Sequence, residues 1–203
     1  MSVAIGITGL LAAAPAQAQI KQPGRHIKYD VELEPHFVYQ WSDGSVDDDG
    51  VGVGLRVSIP IVDNGPIKKI NNSMAISFGV DWAHFEGYCG WWWRDRRYDP
   101  RDGRYYWWNE DCESDQFWFP VVLQWNFWLT DVISVFGEPG LALQHERWDY
   151  YQPCAAGWCD DTESDTDLEF VFWGGARFLL SDSVAITLRL GRPSFNAGLS
   201  FFL

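Results

Sequence analysis

The stretch from Cys89 to Cys112 holds the densest group of side chains that could bind a ligand. Tryptophan and tyrosine rings are interleaved there with arginines. Planar guanidinium groups and aromatic faces suit sugars, phosphates and acidic peptides, so we predict a ligand site. Its candidate residues are Trp91, Trp92, Trp93, Arg94, Arg96, Arg97, Arg101 and Arg104. The alternative is that the rings form a hydrophobic cap and an interfacial belt.

The cysteines lie in polar, turn-rich sequence at Cys89, Cys112, Cys154 and Cys159. In a secreted chain this placement favours disulfides, and local pairing would join the first to the second and the third to the fourth. Pairing between the two stretches stays open. Zinc is the weaker interpretation, because the spacings match no common C-x2-C pair and no partnered histidine is near. We expect neither a metal nor a cofactor.

Acidic residues and two histidines are further candidates for chemistry. Carboxylates crowd residues 43–49 and 160–167, and calcium prefers such ligands, but no full EF-hand loop is present. A solvated acidic rim is the interpretation we favour. His84 and His145 are candidate bases for an enzyme that acts on lipid, but the sequence pairs neither with a serine in a catalytic pattern. We therefore expect no catalytic residues.

The start of the sequence predicts export. Residues 1–18 are uncharged and end in Ala16-Gln17-Ala18, which is typical of a secretory signal cleaved before Gln19. No later apolar run approaches the roughly 20 residues of a membrane-spanning helix. The net charge of -13 and the lack of a basic stripe exclude nucleic acid as a partner.

Alternation of apolar and polar residues covers most of the remaining chain in eight runs. The alternation predicts β-strands, because successive side chains of a strand point to opposite faces. The runs span residues 31–41, 51–60, 73–85, 116–127, 132–145, 167–180, 184–191 and 194–203. Each is close to the length of about 9–11 residues that crosses a bilayer obliquely.

One face of these runs is apolar and the other carries charges of both signs. The second face includes Glu32, Glu34, His36, Arg56, Asp81, Glu138, Glu169, Arg177 and Arg189. A water-soluble core would make these positions apolar, whereas a barrel in lipid would place them in its lumen. We expect the three arginines to bridge the carboxylates and His36 to bond to one of them. A soluble lipocalin-like barrel or sandwich, with the apolar face inside, would alternate equally well.

The last run, SFNAGLSFFL, resembles the terminal signature of bacterial outer-membrane β-barrels. Asn196, Gly198, Phe201 and Leu203 occupy the positions of that signature, although Leu203 stands where the family usually has Phe or Trp. The resemblance implies an all-β, eight-stranded antiparallel up-and-down transmembrane barrel, similar to the OmpA transmembrane domain or to OmpX among porin-family barrels. Residues 19–30 would be a periplasmic segment and residues 31–203 the barrel.

The connections between the runs predict an orientation in the bacterial outer membrane. Such barrels have short periplasmic turns and longer extracellular loops. With the amino terminus inside, connections 42–50, 86–115, 146–166 and 192–193 are extracellular, and 61–72, 128–131 and 181–183 are periplasmic. The cysteines then fall on the outer side, and Lys21, Lys28, Lys68 and Lys69 on the inner side.

The predicted function is that of a non-enzymatic surface protein. Eight strands enclose a lumen that side chains can fill, which leaves the aromatic and arginine-rich loops to bind a surface ligand. The resemblance implies contact with outer-membrane lipid and lipopolysaccharide, and with the barrel assembly machinery through the last strand. The alternatives are a narrow porin-like channel and a lipid A-modifying enzyme.

Overall fold

The computed structural model describes residues 19–42, 48–88, 96–99, 104–107, 111–154 and 157–203, and within 87–112 and 150–161 it describes the backbone alone. A short 3-10 turn at Gln19–Lys21 comes before the strands. The strands are β1 Glu32–Gln40, β2 Gly50–Val62, β3 Asn72–Tyr88, β4 Arg96–Asp99, β5 Arg104–Trp107, β6 Asp111–Trp128, β7 Ile133–Cys154, β8 Gly157–Ser181, β9 Val184–Arg192 and β10 Ser194–Phe202. No helix among these residues is long and apolar enough to cross a membrane.

Eight of the strands close into one antiparallel barrel. Their order around it is β1, β10, β9, β8, β7, β6, β3 and β2, and β1 closes the ring by pairing with both β2 and β10. The predicted all-β fold and all eight runs are therefore confirmed. The last run ends in the sheet as expected, with Leu33 opposite Phe201.

The strands that flank the two longest connections extend beyond the predicted runs. β7 and β8 pair as far as Cys154 opposite Gly157, although their runs were predicted to end at 145 and to begin at 167. The added residues are largely polar, so they carry no apolar alternation that could reveal them. The pairing of β7 with β8 continues without an apolar alternation, because backbone hydrogen bonds need no apolar face.

β4 and β5 form a separate hairpin of their own. Tyr98 lies opposite Tyr105, and Asp99 opposite Arg104. The two strands lie in the segment predicted to bind a ligand.

The two ends of the barrel differ. The terminal end, as we call it, carries residues 19–31, Leu203 and connections 63–71, 129–132 and 182–183. The loop end carries residues 41–42 and 48–49, the strand ends at 88, 111, 154 and 157, and Pro193.

Residues 19–31 fold against the terminal end and add backbone hydrogen bonds there. The Asn71 N–H donates to the Ile20 carbonyl at 2.7 Å, and the Asp30 N–H donates to the Leu203 carbonyl at 2.7 Å. The segment is thus joined to both a connecting turn and the last residue of the chain. We call it the terminal cap.

His26 packs into the terminal cap as a flat ring. It stacks on Trp128 at a centroid distance of 5.3 Å and an angle of 11°, and its Nδ1 lies 2.9 Å from the Asn71 Oδ1. Burial lowers the pKa of His26, and the charge of Lys28 lowers it further, against the raising effects of the Asn71 bond and of Asp63. Lys28 and Asp63 themselves pair at 2.8 Å.

Acid should therefore loosen the terminal cap. A histidine whose pKa is lower in the folded state stabilises the fold above its unfolded pKa of about 6.5 and loses that contribution as the pH falls toward the folded value. We expect the Asn71 amide to exchange faster below about pH 6.5, after correction for the intrinsic rate. His26→Phe keeps a stacking ring without the titration, so its Asn71 exchange should not depend on pH. Equal pH dependence in both proteins would contradict this.

Candidate functional site

The interior of the barrel is charged, and its three arginines are completely enclosed. Arg56, Arg177 and Arg189 have exposed fractions of 0%, 0% and 1%. Each lies opposite a buried residue of a neighbouring strand and so points to the same, inner face: Arg56 opposite Glu34, Arg177 opposite Thr187 and Arg189 opposite Asn196. Buried charges are stable only when they are paired and hydrogen-bonded.

Arg177 forms the ion pair in the half of the lumen nearer the terminal end. Its Nε and Nη2 donate to the two carboxylate oxygens of Glu32 at 2.9 and 2.8 Å, and its Nη1 donates to Asn126 at 2.6 Å. The guanidinium lies 4.3 Å from the ring centroid of Phe136. Two parallel bonds to one carboxylate fix the geometry of the pair.

Arg189 joins three strands across the middle of the lumen. Its Nε donates to the Glu138 carboxylate on β7 at 2.8 Å, and its Nη1 donates to Glu34 on β1. The second oxygen of Glu138 accepts from Gln124 at 2.6 Å, and Glu34 also accepts from Ser200 at 3.1 Å. Each carboxylate therefore has more than one donor.

Arg56 and His36 share the carboxylate of Asp81. The Arg56 Nη2 donates to the Asp81 Oδ2 at 3.0 Å, and the His36 Nε2 lies 2.8 Å from the Asp81 Oδ1. Arg56 also approaches Glu138 at 3.8 Å, which links this group to Arg189, and it lies 5.0 Å from the Trp173 ring centroid. We call Glu32, Glu34, His36, Arg56, Asp81, Glu138, Arg177 and Arg189 the lumen network.

Gly54 on β2 leaves room for the His36–Asp81 contact. A Cβ built on Gly54 would overlap the His36 ring nitrogen and the Asp81 carboxylate oxygen. Gly175 does the same for Phe136, beneath the two arginines that face that ring. Small inward residues are thus what allow large charged ones to fit in an eight-stranded lumen.

Toward the loop end, amides and apolar side chains fill the interior. Ser114 and Gln116 each donate to the Glu146 carboxylate at 2.8 Å. Above them, a small apolar cluster contains Val38, Ala83 and Phe85, with Trp148 packed against it. Side chains therefore occupy the lumen over its length.

Glu169 lies apart from the lumen network. Its side chain is 36% exposed, and its carboxylate lies 3.5 Å from the guanidinium of Arg192, which is more exposed still. It has the same strand parity as Val171 and Trp173, but it sits nearer the loop end.

The outer face of the same strands is apolar. Val53 on β2 is 59% exposed and Phe170 on β8 is 63% exposed, and many other large apolar side chains line the outside. Water would disfavour so wide an apolar surface, whereas hydrocarbon favours it and requires a closed backbone with no free edge. The chain has the fold of an outer-membrane β-barrel.

Comparisons with known proteins find low similarity only. No protein-family model matches the sequence, and no curated protein does so significantly. The crystal structure of Ail from Yersinia pestis with the heparin analogue sucrose octasulfate shares 15% identity at a TM-score of 0.45, covering 85% of this chain and 96% of Ail. Neisserial surface protein A shares 10% at a TM-score of 0.41, covering 85% and 96%.

Omp33 of Acinetobacter baumannii shares 9% identity at a TM-score of 0.25, covering 88% of this chain and 100% of its own chain. At these values the likeness concerns architecture alone. No function passes from any of these proteins to this chain.

Much of the predicted ligand segment lies outside the described residues. Trp91, Trp92, Trp93, Arg94 and Arg101 are among those not described, while Arg96 and Arg97 lie in β4 and Arg104 begins β5. Cys89 is also outside, and the other cysteines are described by their backbone only. Cys112 lies opposite Tyr150, Cys154 opposite Gly157 and Cys159 opposite Gln152. The two disulfides stay predictions.

The two histidines lie on the outer face near the loop end, on strands separated by β6. The His84 Nδ1 lies 3.0 Å from the Asp115 Oδ1, which also accepts from Trp82 at 3.0 Å. The His145 Nδ1 lies 2.8 Å from the Thr166 hydroxyl. Among the side chains that the structure describes, neither histidine combines a hydroxyl and a carboxylate at these distances.

The amide partners of the lumen network are not among the residues predicted from the sequence. Gln124 and Asn126 contact Glu138 and Arg177 respectively. Their inward parity was visible in run four, but a neutral amide on an inward face gave no sign of which charge it would meet.

Replacing Glu138 should destabilise the barrel strongly. Glu138→Gln keeps the shape but leaves Arg189 and Arg56 facing an amide, and breaking a buried ion pair costs about 3–5 kcal/mol. The measurement is urea unfolding in lipid vesicles. Glu169→Gln is the matched control, because an exposed pair contributes only about 0–1 kcal/mol. Similar losses for the two variants would show that the lumen network contributes no special stability.

Proposed function

We propose that this protein is a non-enzymatic outer-membrane barrel with a closed lumen, which serves as a surface-exposed structural and binding protein through its loop end. One observation carries the proposal: the arginines that cross the lumen have essentially no exposed surface. The interior supports the barrel as a scaffold, and function is left to the surface above it.

The lumen network is evidence against a narrow channel. An ion moving through the middle of the barrel would have to pass Arg189, whose guanidinium is bonded to both Glu34 and Glu138. Opening a path would separate those charges in an interior of low dielectric constant. Each broken pair costs about 3–5 kcal/mol, so open states would be rare.

The loop end is the end that we assign to the cell exterior. Lys21, Lys28, Lys68 and Lys69 all belong to the terminal end, together with Leu203 and the terminal cap. The longest connections belong to the other end. These barrels usually have short turns on the periplasmic side and long loops on the extracellular side. This supports the assignment of the terminal end to the periplasm.

Lipid is the first partner of such a barrel. The apolar outer face would contact acyl chains, and the exposed arginines near the loop end, Arg147 and Arg192, suit the phosphates of lipopolysaccharide. We further assign the last strand, with Phe201 and Leu203, to recognition by the barrel assembly machinery. The signature at residues 194–203 supports that assignment.

The absence of an enzymatic role is part of the proposal. His84 has a carboxylate partner in Asp115, which orients the ring but adds no nucleophile. Glu86 lies 3.7 Å from the other ring nitrogen. This arrangement suits a polar contact at the edge of the membrane better than hydrolysis of a lipid.

A conductance experiment separates the scaffold from a channel. We expect a silent planar bilayer after insertion of the refolded protein, with insertion verified by labelled protein in the same membrane. Arg177→Ala, which removes the bonds to Glu32 and Asn126, should admit small currents if the lumen network is the barrier. Discrete open steps in the unmodified protein would make it a pore instead.

A binding experiment tests the aromatic and arginine-rich segment. The combined change Trp91→Ala, Trp92→Ala and Trp93→Ala should weaken binding of a sulfated glycan or a polyglutamate peptide about tenfold or more, because rings that stack on arginine guanidinium groups would orient those cations toward the anionic ligand, at about 0.5–2 kcal/mol for each cation–π contact. The control is Lys68→Ala with Lys69→Ala at the terminal end. A variant that binds normally, or that fails to fold, would support the hydrophobic cap instead.

A further inference from the structure

The strands of the barrel end at different heights on the loop side. β9 stops at Arg192, which lies opposite Phe172 of β8. β8 continues on past this row and pairs with β7 as far as Gly157. Among the residues that the structure describes, no strand covers the other side of β8 between Glu163 and Val171. We call this stretch the β8 edge.

Both faces of the β8 edge meet solvent near its upper part. Ser164, Asp165, Thr166 and Asp167 are all exposed, so side chains on both faces of the strand reach solvent in this stretch. On a strand paired at one side only, every second residue points its N–H and C=O outward. Such a row of unpaired groups is a template for an added strand.

One face of the β8 edge is a stripe of carboxylates. Glu163, Asp165, Asp167 and Glu169 alternate along the strand, and all four share a face. The positions opposite them on β7 carry no basic residue: they are Trp148, Glu146, Gln144 and Ala142. Arg147 lies opposite Ser164, on the other face. Among the side chains that the structure describes, Arg192 is the cation beside the stripe, at 3.5 Å from Glu169.

The spacing of the stripe fits a strand better than a metal ion. Side chains on one face of a strand are roughly 6.6 Å apart, too far for several to bind one calcium at about 2.4 Å. Among the described residues no group of three or more ligands could hold a metal. A neighbouring strand, by contrast, places its own side chains at the same spacing, each opposite a carboxylate.

We propose that the β8 edge binds an extended cationic segment of a partner protein, with basic residues at alternate positions. Backbone hydrogen bonds would add it as a further strand, and its lysines or arginines would face Glu163, Asp165 and Asp167. A second copy of this chain is a poor occupant, because edge-to-edge pairing would place carboxylates opposite carboxylates. The inference rests on the proposed binding role of the loop end, and it concerns residues of β8 that are not among the predicted ligand residues.

The test uses the full chain in lipid nanodiscs and synthetic peptides of about nine residues. The first peptide alternates lysine and threonine, the second carries the same residues with the lysines in one block, and the third is the first with alternate backbone amides methylated. We expect the first to bind and the other two to bind at least about tenfold more weakly, because pairing needs both the register and the amides. Equal binding of all three would overturn strand addition in favour of charge attraction alone.

Variants of the chain complete the test. Asp165→Asn with Asp167→Asn should weaken binding of the alternating peptide about tenfold, whereas Asp131→Asn with Asp182→Asn removes the same charge at the terminal end and should not. Bound peptide should also slow amide exchange at alternate residues from Glu163 to Val171. Loss of binding in the Trp91–Trp93 variant, or competition by calcium at equal stoichiometry, would contradict the proposed site. The conductance result stands independently of either outcome.

Discussion

The contact of Arg189 with Glu34 and Glu138 is the interaction on which the rest of the barrel depends. It joins β9, β1 and β7 across the lumen. Glu138 also lies beside Arg56, which pairs with Asp81, and Asp81 in turn contacts His36. None of these groups can be removed alone without leaving a partner charged and enclosed. Gly54 and Gly175 belong to the same constraint, because they provide the space that the charged groups occupy.

The alternation along each strand predicts which residues point inward. It does not predict the register between neighbouring strands. The alternation placed Arg56, Arg177 and Arg189 on the inner face, but which carboxylate each meets depends on how far neighbouring strands are staggered. A single run contains no information on that stagger. Glu169 illustrates the difference: it shares the parity of the lumen network, yet its height on β8 brings it beside Arg192 at the rim.

The full lengths of β7 and β8 could not be predicted from the sequence for a related reason. Where a strand crosses lipid, one face must be apolar and the pattern is visible. Above that level both faces meet water, so Glu163 to Asp167 resemble a loop in sequence although they belong to a sheet. The candidate ligand segment was found by residue type alone, which gave its chemistry without its geometry.

The sequence separations within the lumen network bear on how the barrel is built. The Arg177–Glu32 and Arg189–Glu34 contacts join residues 145 and 155 positions apart, so they form only when the first and last strands meet. Until then, the arginines of an open sheet would face lipid, where a charge is expensive. Insertion of a half-assembled sheet is therefore disfavoured, and crossing the membrane should coincide with closure of the ring in a single cooperative step.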